Sequence, residues 1–112
     1  MLIYKILRAA EWQAFDSAGR TDGAPVDLAD GFIHFSTAAQ AVGTAAKHFA
    51  GEDGLMLVAV KAEPLGEALK WEVSRGGALF PHLYRPLTME DVAWSAPLPP
   101  GPTGHVFPKA MT

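Results

Sequence analysis

The stretch Asp30-Gly31-Phe32-Ile33-His34-Phe35-Ser36-Thr37, running directly into Ala38-Ala39-Gln40, decides how the rest of the chain is read. At a period of two, Ile33 and Phe35 fall on one side of a short strand, and Phe32, His34 and Ser36 on the other. Thr37 followed three residues later by Gln40 has the spacing of a capping box, so the strand hands over to a helix. An imidazole and hydroxyls converge there, beside free backbone N–H groups and the positive end of a helix dipole that suit an anion. A plainer account fits the same residues: Thr37 as a cap, Ser36 as a turn residue and His34 as a hydrogen-bonded, half-buried histidine.

Working outward, Leu2 to Leu7 reads as a strand and Ala9 to Ala18 as a short helix, with Trp12 and Phe15 on its buried side and Gly19 ending it. Arg20 to Ala29, which holds Asp22, Gly23, Pro25 and Asp27, reads as a turn-rich loop leading to Asp30, either a lid or a connector. Beyond the central stretch, Ala38 to Ala50 is a helix with Ala38, Val42, Ala45 and Phe49 on one face and Gln40, Thr44 and Lys47 opposite. The apolar run Leu55 to Val60 fits a strand buried on both faces. Leu69 to Ser74 alternates, with Leu69, Trp71 and Val73 opposed to Lys70, Glu72 and Ser74. After the Gly76-Gly77 turn, Phe80, His82 and Tyr84 share a face of an extended segment that Pro81 restricts to an edge, a bulge or a strand end. Pro86 to Val92 reads as a helical turn capped by Thr88, followed by a last strand over Val92 to Ala96. Helices alternate with strands only in the first half, which predicts a single α+β domain over residues 1–97. Its sheet is mixed or antiparallel and it has two main helices. Residues 98–112 form a Pro/Gly-rich tail that reads as extended or mobile.

A chain of 112 residues supports one core. The net charge of −3 argues against nonspecific binding to nucleic acid or acidic lipid. Without cysteine there are no disulfides, no thiolate chemistry and no Cys-based zinc site. His34, His48, His82 and His105 lack the spacing of metal-ligand pairs. The N-terminal apolar run is too short for a signal peptide, and no stretch approaches the length of a membrane span. These features predict a cytoplasmic, soluble protein with no membrane or bulk nucleic-acid partner; a monomer with a small-molecule or nucleotide ligand is a separate expectation, which the candidate site residues raise.

Ser36, His82 and Glu72 can be written as a nucleophile triad, but Ser36 is not in a Gly-x-Ser-x-Gly elbow. There is no Walker-type loop and no Gly-x-Gly-x-x-Gly. Glu72, next to Trp71, is either a solvated strand carboxylate or one that holds a ribose hydroxyl or acts as a base against an aromatic wall. His82 and Tyr84 fit a pocket wall or a half-buried sheet edge equally.

Asp-Gly-Phe-Ile-His-Phe-Ser-Thr (residues 30–37), Gln40, Thr44-Ala45, Phe49, Trp71-Glu72, Phe80-Pro81-His82-Leu83-Tyr84 and Pro86-Leu87 together resemble the signature of domain of unknown function 952, a small bacterial and plant family. That resemblance runs from Leu2 to Pro97. More distantly, the element order with Ile33-His34-Phe35-Ser36 is similar to the catalytic half of the RNA 2′-phosphotransferases, which carry Val-His-Leu-Ser and belong to the ADP-ribosyltransferase fold. This likeness implies a bent, split β-sheet whose cleft holds NAD in relatives. By it, His34 and Ser36 line the cleft floor and orient a ribose or phosphate, with Thr37 beside them. Glu72 becomes the acid/base candidate, and Trp71, His82 and Tyr84 supply the far wall. The chain departs from many ADP-ribosyltransferases in the first strand, where Lys5 stands in place of a ribose-binding histidine. A lysine donates but cannot accept, and it suits a phosphate better. The implied alternatives are a transferase acting on NAD or a ribose phosphate, with His34 and Glu72 catalytic, and a non-catalytic binding module built from Lys5, His34, His82 and Tyr84. A third reading makes the aromatic edge and the proline-rich tail a protein-interaction surface.

Overall fold

Leu2–Leu7 (β1), Leu55–Lys61 (β4) and Val92–Leu98 (β8) form an antiparallel sheet in the order β1-β4-β8. The computed structural model describes residues 1–111, the side chain of Arg75 excepted. The central position of β4 explains its unbroken apolar run, because Leu57, Val58, Ala59 and Val60 have no exposed surface. Val58 and Val60 join Ile3, Leu7, Phe15, Ile33, Phe35 and Leu83 in one apolar cluster. Leu57 and Ala59 join Tyr4, Ile6, Ala41, Ala45 and Leu98 in another. The first sheet therefore separates two layers of core.

A second antiparallel sheet, in the order β3-β6-β5, consists of Ile33–His34 (β3), Leu69–Val73 (β5) and Leu79–Leu83 (β6). Among the described residues two backbone hydrogen bonds join the sheets: Tyr4 N–H donates to Ser36 O at 2.8 Å and Ser36 N–H donates to Tyr4 O at 2.9 Å. The molecule is thus an α+β domain with antiparallel sheets and few helices, its two main sheets meeting at one bridge. Pro81 lies in the middle strand of the second sheet rather than at an edge. Its missing N–H falls at the end of the β3 ladder, past the His34–His82 pair, while its carbonyl still accepts from Phe35 N–H at 3.0 Å.

Ala9–Ala18 (α1) ends at Gly19, whose φ of 78° is left-handed. Fully buried Phe15 anchors this helix, with Trp12 packed edge-on against it at 5.8 Å. The segment read as a loop instead contains Arg20–Thr21 (β2), paired with Leu87–Thr88 (β7), and a short helix, Pro25–Asp30 (α2). Proline at the first helical position and Gly31 at the left-handed end explain α2 locally. Ala38–His48 (α3) starts at Thr37, whose side chain accepts from Gln40 N–H while Gln40 Oε1 accepts from Thr37 N–H. Ala41 and Ala45 are fully buried and let α3 lie close to β1. Val42, read as part of that buried face, is instead 55% exposed, so the packed face is rotated toward Ala41.

The segment after Leu98 is not a free extended tail. Pro100–Gly101 (β9) and Gly104–His105 (β10) form a hairpin, His105 Nε2 lies 2.8 Å from Glu52 O, and Phe107 and Met111 pack on the second apolar cluster. Prolines remove backbone donors but leave apolar side chains free to cover the core. No helix among the described residues is long and apolar enough to cross a membrane.

Candidate functional site

A lysine in an otherwise apolar strand must find a partner. Lys5 points to the N-terminal turn of α2, where its Nζ lies 2.7 Å from Asp27 Oδ2. The Asp27 side chain is wholly buried and that of Lys5 nearly so. Asp27 has further donors: Ala24 N–H to Oδ2 at 2.8 Å and His34 N–H to Oδ1 at 3.1 Å. His34 Nδ1 lies 2.6 Å from the same Oδ1. Gly23 makes room for this cluster, since at φ 109° an added Cβ would stand 2.5 Å from the Asp27 side chain. Burial alone would raise the Asp27 carboxyl, but the His34 hydrogen bond and the Lys5 charge overcome it and hold the pKa at about 2. For Lys5 burial prevails, and its ammonium is pushed below the ordinary lysine value despite the attraction of Asp27. The two downward shifts differ in origin because Asp27 collects several donors, whereas among the described residues Lys5 pairs with Asp27 alone.

His34 is 30% exposed on its side chain, and its Nε2 lies 3.0 Å from the half-exposed Asp30 carboxylate. An imidazole flanked by two carboxylates donates to both only when it carries both protons. Across the sheet, His82 is paired in register with His34. The ring of Phe32 stacks on His82 at 4.2 Å and also touches His34 at 4.5 Å and Tyr84 at 5.2 Å. Behind this cluster Glu72 Oε1 accepts from Tyr84 OH at 2.7 Å and lies 2.8 Å from His82 Nδ1. Those contacts, the Tyr84 phenol first, hold the Glu72 carboxyl below its ordinary value. Glu72 is thus kept ionised, which suits orienting His82 better than donating a proton.

A cavity of about 600 Å³ opens between the sheets and α3, a volume typical of small-molecule sites. Lys5, His34, Ser36, Thr44 and His82 contribute polar atoms to walls that are otherwise largely apolar, such as Tyr4 and Phe35. Arg8 and Lys47 are basic residues of the lining, and among the described residues Glu11 is its only acidic one. Arg8 is held by Glu52 through contacts of 2.9 and 3.0 Å and lies over the Phe49 ring. Lys5 and Arg8 are offset by Asp27 and Glu52, so the positive charge around this cavity is largely paired, with Lys47 beside it.

Of the residues singled out from the sequence, Lys5, His34, Ser36 and His82 come together at the cavity. Ser36 Oγ lies 2.9 Å from Thr44 Oγ1, and Thr44 Oγ1 in turn donates to Gln40 O, so the serine hydroxyl is directed to a threonine and not to an imidazole. The Ser36, His82 and Glu72 triad is therefore not formed. Glu72 sits behind His82, outside the cavity walls. Tyr84 borders a separate hollow of about 240 Å³ with Phe32, Asp22 and Arg85. Thr37 is a helix cap off the cavity, its box with Gln40 already using N–H groups that the sequence offered to an anion. Trp71, on the opposite face of β5 from Glu72, is 40% exposed. Asp27 and Thr44 were not singled out as site residues. Two signals point to Asp27: a lone lysine among buried apolar residues, and a carboxylate two positions after a helix-starting proline.

With this fold and this cluster, the chain belongs to the DUF952 family, described as protein of unknown function, whose family model matches residues 6–95. It is similar to protein CC0527 of Caulobacter crescentus. The crystal structure of that protein shares 59% identity at a TM-score of 0.89, covering 94% of this chain and 92% of that one. Its solution NMR structure shares 60% identity at a TM-score of 0.84, covering 93% and 90%. No curated protein matches the chain.

Proposed function

We propose that the chain binds a small phosphorylated-ribose ligand, of the size of a ribose phosphate or a nucleotide such as NAD, in the cavity between its two main sheets. The observation that supports this most is the pairing of a 600 Å³ hollow with His34 and His82 side by side on its floor and Arg8 and Lys47 around it. Histidines and serine meet sugar hydroxyls, while the basic residues meet the phosphate. The resemblance of Ile33-His34-Phe35-Ser36 to the RNA 2′-phosphotransferase motif, read from the sequence, is consistent with the same ligand class. Lys5 does not take the phosphate in this reading, because its ammonium is buried against Asp27, whereas the half-exposed Arg8 exchanges its Glu52 contact for the phosphate.

Isothermal titration of the full chain with ribose 5-phosphate, ADP-ribose, NAD and a 2′-phosphorylated dinucleotide tests the proposal. Saturable heats for at least one are expected, with His34→Ala weakening the affinity. Flat heats for all four refute it. A transferase reading has one specific support, the Asp27–His34 contact of 2.6 Å that orients the imidazole as a buried carboxylate orients a catalytic histidine. That reading requires His34 Nε2 to leave Asp30, and turnover of NAD or a 2′-phosphate by the wild type but not by His34→Gln tests it.

A further inference from the structure

We infer that His82 Nε2 is the hydrogen-bond acceptor for a hydroxyl of the bound ligand, its lone pair presented by a Glu72–His82 pair. The inference rests on the phosphorylated-ribose reading and assigns one contact within it. Among the described residues Glu72 is the only carboxylate placed at the His82 ring, and its Oε1 lies 2.8 Å from Nδ1. The same oxygen also accepts from the Tyr84 phenol at 2.7 Å, and both contacts favour an ionised carboxylate. An anion facing Nδ1 requires a proton on that nitrogen, so the neutral ring keeps its lone pair on Nε2.

That Nε2 is buried and has no hydrogen-bond partner among the described residues. His82 as a whole is 4% exposed, with Phe32 stacked on it and the edge of His34 5.4 Å away. Its ring nevertheless forms part of the cavity wall. A buried acceptor without a donor is an unfavourable arrangement, retained where a ligand completes it. The ligand atom that completes it is a donor, which a sugar hydroxyl always supplies and a fully ionised phosphate oxygen does not. This separates the cavity into two parts: the basic residues Arg8 and Lys47 for the phosphate, and His82 for the sugar hydroxyl.

Long-range proton–nitrogen correlation spectra of the histidine rings, recorded on the full chain, test the assignment without depending on activity. The His82 signals are assigned by their loss in His82→Phe. The free protein should show the His82 ring protonated at Nδ1 and bare at Nε2. Glu72→Ala, at a partly exposed position, removes the acceptor at Nδ1 and should shift the ring toward the other tautomer. Ribose 5-phosphate should move the Nε2 resonance, sulfate, which carries no proton at neutral pH, should not, and His82→Phe should weaken ribose 5-phosphate binding by roughly five- to tenfold. A proton on Nε2 in the free wild type overturns the inference whatever binds. An unmoved Nε2 in a protein that does bind ribose 5-phosphate overturns it and leaves the broader reading standing. Failure of ribose 5-phosphate, ADP-ribose and NAD to bind removes the broader reading, and the hydroxyl contact with it, while the free-protein tautomer is still measured separately.

Discussion

Replacing Asp27 by asparagine keeps the shape of the side chain and removes its charge. The wild-type carboxylate faces donors on both sides: Lys5 Nζ and Ala24 N–H at Oδ2, His34 N–H and Nδ1 at Oδ1. Whichever way the amide is turned, its NH2 group meets two of those donors, and the Lys5 ammonium is left buried without a counter-charge. Breaking a buried pair by removing one partner costs about 3–5 kcal/mol. Against a total stability of about 5–15 kcal/mol for a domain of this kind, the loss is large. Urea unfolding at pH 7 followed by tryptophan fluorescence should show the midpoint falling with an unchanged slope, and the thermal midpoint should drop on the order of 10–20 °C. Surface salt bridges contribute less than about 1 kcal/mol. A loss for Asp27→Asn that small would show that Lys5 and Asp27 are solvated in solution, and the account of the site given above would fail.

The wild type should lose about 2 kcal/mol of stability as pH falls through the window from the ordinary 3.8 of an aspartate to the Asp27 value of about 2. A depressed carboxyl stabilises above its unfolded value and ceases to do so below its folded one, so Asp27→Asn should show a flatter acid limb in the same urea titrations. Replacing both partners with apolar residues, Lys5→Met with Asp27→Leu, should recover at least half of the stability lost in Asp27→Asn, since no buried charge remains uncompensated. Thr37→Ala should cost about 1 kcal/mol by removing the α3 cap, yet leave the affinity for ribose 5-phosphate within about twofold, because Thr37 is off the cavity. Deleting residues 99–112 should cost about 2 kcal/mol in thermal or urea unfolding by uncovering the surface under Phe107 and Met111; an unchanged midpoint would mean that the hairpin does not pack in solution.

Much of the scaffold is legible locally. Alternation and apolar runs locate β1, β4 and β5, Gly19 ends α1, and the Thr37–Gln40 box starts α3. The helical turn after Thr88 follows from the same capping chemistry, Asp91 accepting from Thr88 N–H at 2.9 Å. Where the reading missed, a longer-range contact overrode the local signal. Val42 has the right spacing for a buried face, but close packing on β1 selected the smaller Ala41. Pro81 should avoid a central strand, but its ladder ends where its donor would be needed. The proline-rich terminus reads as extended, but Phe107 and Met111 reach an apolar surface that the sequence does not reveal.

The amino-acid sequence by itself determined an α+β chain, its main strands and helix caps, and His34 and His82 as residues to watch. Those follow from periodicity and from side-chain-to-backbone hydrogen bonds within a few residues. Only the tertiary structure selected Asp27, from among Asp22, Asp27 and Asp30, as the carboxylate buried between Lys5 and His34. It alone set Glu72 behind His82 and turned Tyr84 and Trp71 away from the cavity. The physical reason is desolvation. In an extended chain the three aspartates are chemically alike, and they become different when folding removes water from one of them and brings a lysine from a distant strand to replace it.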